Sequence, residues 1–355
     1  MLDRRKKLYI IVLGLFIFII NIILRYYPGF VDKYYSRGIN KIAREALTSV
    51  TNMIPFSLGE VLVLILVALL LILIIKFVIH IRKKCVNGLL NLGVYLSIIY
   101  ILFMVLWGFN YDRLTLDKIL NLQLRKYDEK ELYKLCDSLA SRANELRKLV
   151  DEDKNGVMTI KGGYKSIRDR ASLGYIAAAK KYPFLGGINV YPKPVLLSEA
   201  LSYGGITGIY IPFTGEANIN IKDADFMLPS TCEHEIAHEK GFAREEEANY
   251  IAYITSMASE DVNFQYSGTM MALIYSSNAL YDANKVDYRA LIKNYSLGVK
   301  KDLQFESKLW SKYNGKVQKL QERINNAYLK SNGEEKGIQS YDSMVEYLIS
   351  NYYKK

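Results

Sequence analysis

The stretch "TCEHEIAHEKGFAREEEANY", residues 231–250, gathers side chains that could do metal chemistry. It holds two of the chain's three histidines, His234 and His238, four residues apart with Glu235 between them. On a helix, residues i and i+4 share one face. Both imidazoles can then ligate one tetrahedral zinc ion. Glu235 falls beside such a metal rather than on it. There a carboxylate can take a proton from metal-bound water and pass it to a leaving amine, which is the mechanical content of H-E-x-x-H. The chemistry expected is hydrolysis of a peptide bond, with Zn2+ as cofactor and Glu235 as the catalytic base.

The third protein ligand cannot be histidine, because His80 lies at the end of an apolar run far upstream. A carboxylate or thiolate must serve. Glu245, Glu246 and Glu247 all follow within the next helix. Glu245 is favoured because it puts Asn249 four residues later on the same face. An oxygen there can accept the outer ring N–H of a ligand histidine and fix its tautomer. Glu247 is the alternative ligand. Cys232 falls off the ligand face and reads as a small buried residue.

Local signals frame this pair of helices. Ser230 and Glu233, just after Pro229, have the spacing of a capping box, which predicts a helix from Thr231. Gly241 predicts a sharp stop, and a second helix is expected near Ala243. Hydrolysis also needs a donor to the developing oxyanion. With no histidine to spare among 29 tyrosines, Tyr210, Tyr266 and Tyr275 are the candidates, with Arg244 behind them. "GITGIYIPF", residues 205–213, reads as a sheet-edge strand that could hold an extended peptide, and Pro212 suits an edge. Glu216 and Asn218 are expected to close a turn. The competing reading is a noncatalytic membrane binding protein with a structural or vestigial zinc site. Glu235 separates the two, because a structural site has no need of it.

These residues need a frame. Half the chain's 355 residues are hydrophobic, yet 23% are charged, which suggests segregated blocks. Apolar runs at about 8–24, 62–81 and 89–109 each approach the ~20 residues that cross a bilayer. "RYYPGF" after the first run is no cleavage site, so that run reads as an uncleaved anchor. The net charge of +11 then favours anionic lipid over nucleic acid, for which no motif appears. Dense basic clusters, Arg4–Lys7 and Arg82–Lys84, argue for a cytoplasmic N-terminus and an extracellular C-terminal domain. Residues 25–57 read as the loop between the first two runs. Three spans without intramembrane acid pairs or broken-helix repeats speak against a transporter. The cysteines form no disulfide framework, with a Cys136–Cys232 bridge the one pairing left open.

After residue 110 the texture becomes polar. Leu132, Leu135, Leu139, Leu146 and Leu149 carry helical spacing over 128–151. Another helix is expected over 164–181, short strands and turns over 186–220, and helices from Pro229 onward. Residues 300–330 read as one long polar helical stretch, and a last helix is expected around 341–353. The fold expected is three N-terminal transmembrane helices (1–110) followed by a mainly α, α+β domain with a small sheet (111–355).

The pairing of HExxH with a downstream E-x-x-A-N helix resembles the gluzincin side of the zincin metallopeptidases. More narrowly, "GIYIPFTGEANIN", "HEIAHEKGFAREEEANYIAYI" and "SYDSMVEYLI" resemble the domain-of-unknown-function 3810 family of bacterial membrane proteins. That resemblance covers most of the chain. It implies a multi-pass protein of the bacterial cell membrane with a zincin-like domain acting on a peptide or protein, and names no substrate. By motif, His234 and His238 carry over as ligands, Glu235 as base and Glu245 as third ligand.

Overall fold

The computed structural model describes residues 3–354, except for the side chains of residues 81–84 and 342. The side chains of the Arg82–Lys84 cluster therefore lie outside the described residues. The chain divides into two compact units, Met1–Leu114 with Ile211–Glu216, and Thr115–Tyr210 with Ala217–Lys355.

The first unit contains α1 (Arg4–Leu24), α2 (Asn40–Thr51), α3 (Leu58–Ile79) and α4 (Ile81–Leu106). Stretches of 21, 22 and 22 residues in α1, α3 and α4 are long and apolar enough to cross a membrane, with mean hydropathies of 2.6, 3.5 and 2.3. The starts of α1 and α3 are capped. Asp3 accepts from Lys6 N and Ser57 from Glu60 N, each at 2.8 Å. Glu216 accepts from Leu58 N at 3.2 Å and Gly59 N at 2.5 Å, using amides that lack intrahelical partners.

Residues 25–57 are not the loop expected. A helical turn at Pro28–Phe30 leads into a wide helix, Val31–Ile39, which breaks at Gly38 before α2. The misreading has a physical cause. The large apolar residues here form no long run, and most of them recur on the exposed side rather than the packed side.

In the second unit, α5 (Glu129–Arg147) begins with a capping box between Asp128 and Glu131. Its Leu132, Leu135, Leu139 and Leu146 are buried. Leu149, expected on that face, lies past the helix end and is 68% exposed. Next come α6 (Gly163–Ala179), β1 (Lys193–Pro194), β2 (Gly208–Ile211) and β3 (Glu216–Ile219). The strands form one sheet of order β1-β3-β2, with Lys193 of β1 opposite Asn218 of β3 in parallel register. Glu216 and Asn218 thus belong to a strand, not to a turn.

The helices that follow are α7 (Leu228–Glu239), α8 (Glu245–Ala258), α9 (Val262–Ala283), α10 (Leu297–Ser311), α11 (Lys316–Ser331) and α12 (Met344–Tyr352). The single stretch expected over 300–330 is two helices, because Gly315 between them is fully extended. The core of this unit draws on α5, α6, α7, α8, α9 and α12. Cys136 and Cys232 are both buried in it and unbridged. Helix α7 is therefore clamped among α6, α8 and α9, and that clamp fixes the direction of the histidine face.

Candidate metal centre

Helix α7 starts earlier than the capping box predicts. It begins at Leu228, with Pro229 in its first turn, where the missing N–H costs nothing. Ser230 and Glu233 are inside the helix and buried. The Ser230 hydroxyl accepts from Ser267 Oγ at 2.9 Å, and Glu233 accepts from the Ser256 hydroxyl. Tertiary partners have taken both side chains that the S-x-x-E pattern assigned to capping. Burial, ahead of all else, raises the Glu233 carboxyl well above its usual range.

The helix ends as Gly241 predicts. Gly241 has φ +86°, a conformation that favours glycine. Its N–H bonds His238 O at 2.8 Å, and Phe242 N–H bonds Ala237 O at 3.2 Å. This pair of bonds is the Schellman stop. It turns the Phe242 carbonyl back onto the helix, where it accepts from His238 Nδ1 at 2.7 Å. The buried Phe242 ring packs at 5.6 Å on Phe184 and anchors the turn.

Three residues after Phe242 α8 begins, with Glu245 as its first residue. A carboxylate there faces the positive end of the helix dipole. Asn249, one turn on, accepts from His234 Nδ1 at 2.8 Å. The Asn249 amide nitrogen meanwhile points to Tyr341 O at 3.5 Å, consistent with its oxygen facing the ring.

Each Nδ1 faces only an oxygen acceptor, so each must carry its ring proton. In the neutral form of each ring this leaves the Nε2 lone pair bare, and the two Nε2 atoms converge. His234 Nε2 and His238 Nε2 are 3.0 Å apart. Glu245 Oε2 stands 3.2 Å from the first and 3.5 Å from the second. With both rings neutral, the three atoms are all acceptors and could serve together as ligands to one cation. Bonds of ~2.0–2.2 Å in a tetrahedron give ligand–ligand edges of roughly 3.3–3.5 Å, and the three distances bracket that. Among the described residues, His234, His238 and Glu245 are the group that could hold a metal ion.

The charges agree with that geometry. Burial alone would raise the Glu245 carboxyl, but the His238 and His234 rings hold it well below the ordinary carboxylate range. Burial would likewise depress His238, yet Glu245, then Glu235, lift it to about 9. Glu235 is raised above its usual value, first by burial and then by Glu245, against the pull of the two rings. Its Oε2 is buried and makes no hydrogen bond among the described residues. The carboxylate also takes the main-chain N–H of Tyr210 and lies flat on Gly208 of β2. A Cβ built at Gly208 would sit 2.5 Å from Glu235 Oε1.

The other expected residues divide. Glu247 is turned away, accepting from Leu116 N at 2.8 Å and Arg244 Nη1 at 3.3 Å. Arg244 also reaches Glu334 at 3.3 Å. Tyr266 is buried, and its hydroxyl donates to Asp302 Oδ2 at 2.6 Å; Asp302 in turn is held by Arg147 and Met158 N. It serves that buried network and not the metal group. Tyr210 is placed by its main chain against Glu235. Cys232 is fully buried.

Sequence reasoning missed Tyr341, which precedes α12. Burial, then the charge of Glu245, holds its phenol well above the usual range against a hydrogen bond with Asn325, and Tyr275 and Glu235 act on it as well. It also missed the Phe242 carbonyl and Gly208. A main-chain carbonyl carries no side-chain signal, and Gly208 matters only once Glu235 is seen to lie on it.

The family described as a protein of unknown function, DUF3810, matches the chain over residues 35–349. The chain belongs to that family. No curated protein and no solved structure matches it.

Proposed function

With membership of that family as premise, we propose that the protein is a membrane-anchored zinc metallopeptidase with a gluzincin-like site. The observation that carries this reading is the convergence of His234 Nε2, His238 Nε2 and Glu245 Oε2 beside the buried, unpartnered Glu235 Oε2. In this reading His234, His238 and Glu245 hold the ion, and Asn249 and the Phe242 carbonyl set the two ring tautomers. Zinc, when bound, supplies Lewis acidity that lowers the pKa of water toward ~7 and polarises a carbonyl.

The remaining work belongs to the chain's own groups. Glu235, its carboxyl raised by burial, takes and returns a proton at its free oxygen as the general base. An extended peptide lies along β2, which is an outer strand of the sheet, so that its scissile bond comes up to Glu235. Tyr341, whose main-chain carbonyl lies beside Asn249, joins Tyr210 and Tyr275 as a candidate donor to the developing oxyanion. The three apolar helices cross the bacterial membrane, the N-terminus is cytoplasmic, and the catalytic domain is extracellular.

Glu235→Gln tests this reading. In the purified full-length protein it should retain zinc and lose roughly 10²–10⁴-fold in peptide hydrolysis, the usual worth of a general base. A variant as active as the parent, or a parent inactive on a broad peptide library despite bound zinc, would leave a noncatalytic zinc-binding domain instead.

A further inference from the structure

The segment between α1 and α3 is built inside out. Asp32, Ser36, Asn40, Arg44, Thr48 and Thr51 recur every three to four residues, and all are buried. On the opposite side Phe30, Tyr34, Ile39, Ile42, Val50 and Met53 are exposed, Ile39 by 73%, Ile42 by 72% and Met53 by 84%. A helix on a water-soluble protein does the reverse and turns its apolar stripe inward.

Most of the buried polar stripe finds partners within the first unit. Arg113 donates to Asp32 Oδ1 through Nε at 3.0 Å and Nη2 at 2.7 Å, and Arg37 pairs with the same carboxylate. Asn40 Nδ2 donates to Leu106 O at 2.6 Å, and Tyr35 Oη to Val105 O at 2.9 Å. Those carbonyls end α4 and have no intrahelical partner. Arg44 Nη1 donates to Ser36 O at 3.0 Å and to Asn40 Oδ1 at 2.9 Å. Thr48 Oγ1 donates to Gly215 O at 2.7 Å.

In water this arrangement is doubly unfavourable, because it desolvates charges and exposes apolar area. In a bilayer both terms reverse. Polar groups there are best satisfied within the protein, as most of these are, Ser36 Oγ and Arg44 Nε excepted among the described residues, and the apolar face meets a matching solvent. The exposed stripe is also continuous along the chain with the outward faces of the spans, whose apolar windows are only 11%, 0% and 6% buried. Tyr26, Tyr27 and Tyr34, all exposed, cluster just past α1, where aromatic side chains settle at the membrane boundary.

We propose that residues 26–56 form a fourth membrane-contacting element. It lies in the interfacial layer of one leaflet, packed on the end of α4, and lipid acyl chains cover its Ile39–Ile42–Val50–Met53 side. The bilayer thereby holds the polar network at the ends of α1 and α4 away from water.

Spin labels test this in the full-length protein. Ile42→Cys, Val50→Cys and Met53→Cys are made on a Cys85→Ala background; Cys136 and Cys232 are buried and take no label. Each labelled protein is reconstituted into phosphatidylcholine–phosphatidylglycerol vesicles. Collision with oxygen is compared with collision with a water-soluble nickel chelate. Ile72→Cys in α3 supplies the lipid reference, and Leu149→Cys in the second unit the water reference. All three positions should prefer oxygen, as Ile72→Cys does. Preference for nickel, as at Leu149→Cys, would overturn the proposal. So would exclusion of both reagents with dipolar broadening between labels, which would make the occupant a second copy of the chain. The labels replace exposed side chains and leave the buried polar stripe intact.

Discussion

Glu235 and Gly208 are in contact across the edge of the sheet. The carboxylate lies where a side chain on residue 208 would have to be, 2.5 Å from a Cβ built there. A strand glycine usually marks a place where something must approach closely, and here that something is the proposed general base. Gly208→Ala should push Glu235 off its seat at an overpacking cost of about 1–3 kcal/mol. Hydrolysis should fall at least about tenfold, the equivalent of ~1.4 kcal/mol, while zinc content stays the same. Zinc analysis and peptide turnover on one preparation check both halves.

Asn249 is expected to act through His234. Its oxygen accepts from Nδ1 at 2.8 Å, which aims the Nε2 lone pair toward Glu245 and the proposed metal. Asn249→Ala should weaken zinc affinity about 10–100-fold, the usual effect of removing such a partner. Competition with a chromogenic chelator reads it. An unchanged affinity would mean that packing alone orients the ring.

Glu245 and Glu247 should behave oppositely. Glu245→Ala removes a ligand atom and should abolish zinc binding. Glu247→Ala should keep the zinc, because its carboxylate serves Leu116 N and Arg244. It should instead lower stability by about 1–3 kcal/mol, since it leaves a buried donor unmet. Metal content and thermal unfolding of the two variants decide the assignment.

A pH effect is expected away from the metal group. Burial, then Asp223, pushes Glu306 up to about 8, and burial pushes Asp223 up to about 6. Below about pH 4 both are protonated whether folded or not. Between about 4 and 8 the folded state keeps protons that the unfolded chain has released, so stability falls as pH rises through that window. Glu306→Gln removes the larger part of this slope. Melting temperatures at pH 5 and pH 8 should differ less in the variant than in the parent.

How much of this was legible in the sequence depended on range. His234, His238, Glu245 and Asn249 are linked by one-turn spacings and one tight turn, so helix geometry and Gly241 sufficed to group them. The three apolar helices were legible for the same local reason. Ser230 and Glu233 matched a capping pattern, but Ser267 and Ser256 from other helices claimed them. Residues 25–57 failed because the usual rule, apolar inward, is inverted there. Tyr341 is nearly a hundred residues from Glu245 and is one tyrosine among 29, so only the folded chain singles it out.

Zinc stoichiometry tests the central claim most directly. The full-length protein would be purified in detergent, dialysed against excess zinc and then against buffer, and its metal counted per chain by mass spectrometry beside His234→Ala. About one zinc in the parent and none in the variant is the expected result. A folded parent that holds no zinc would contradict the metal centre and the hydrolase reading built on it.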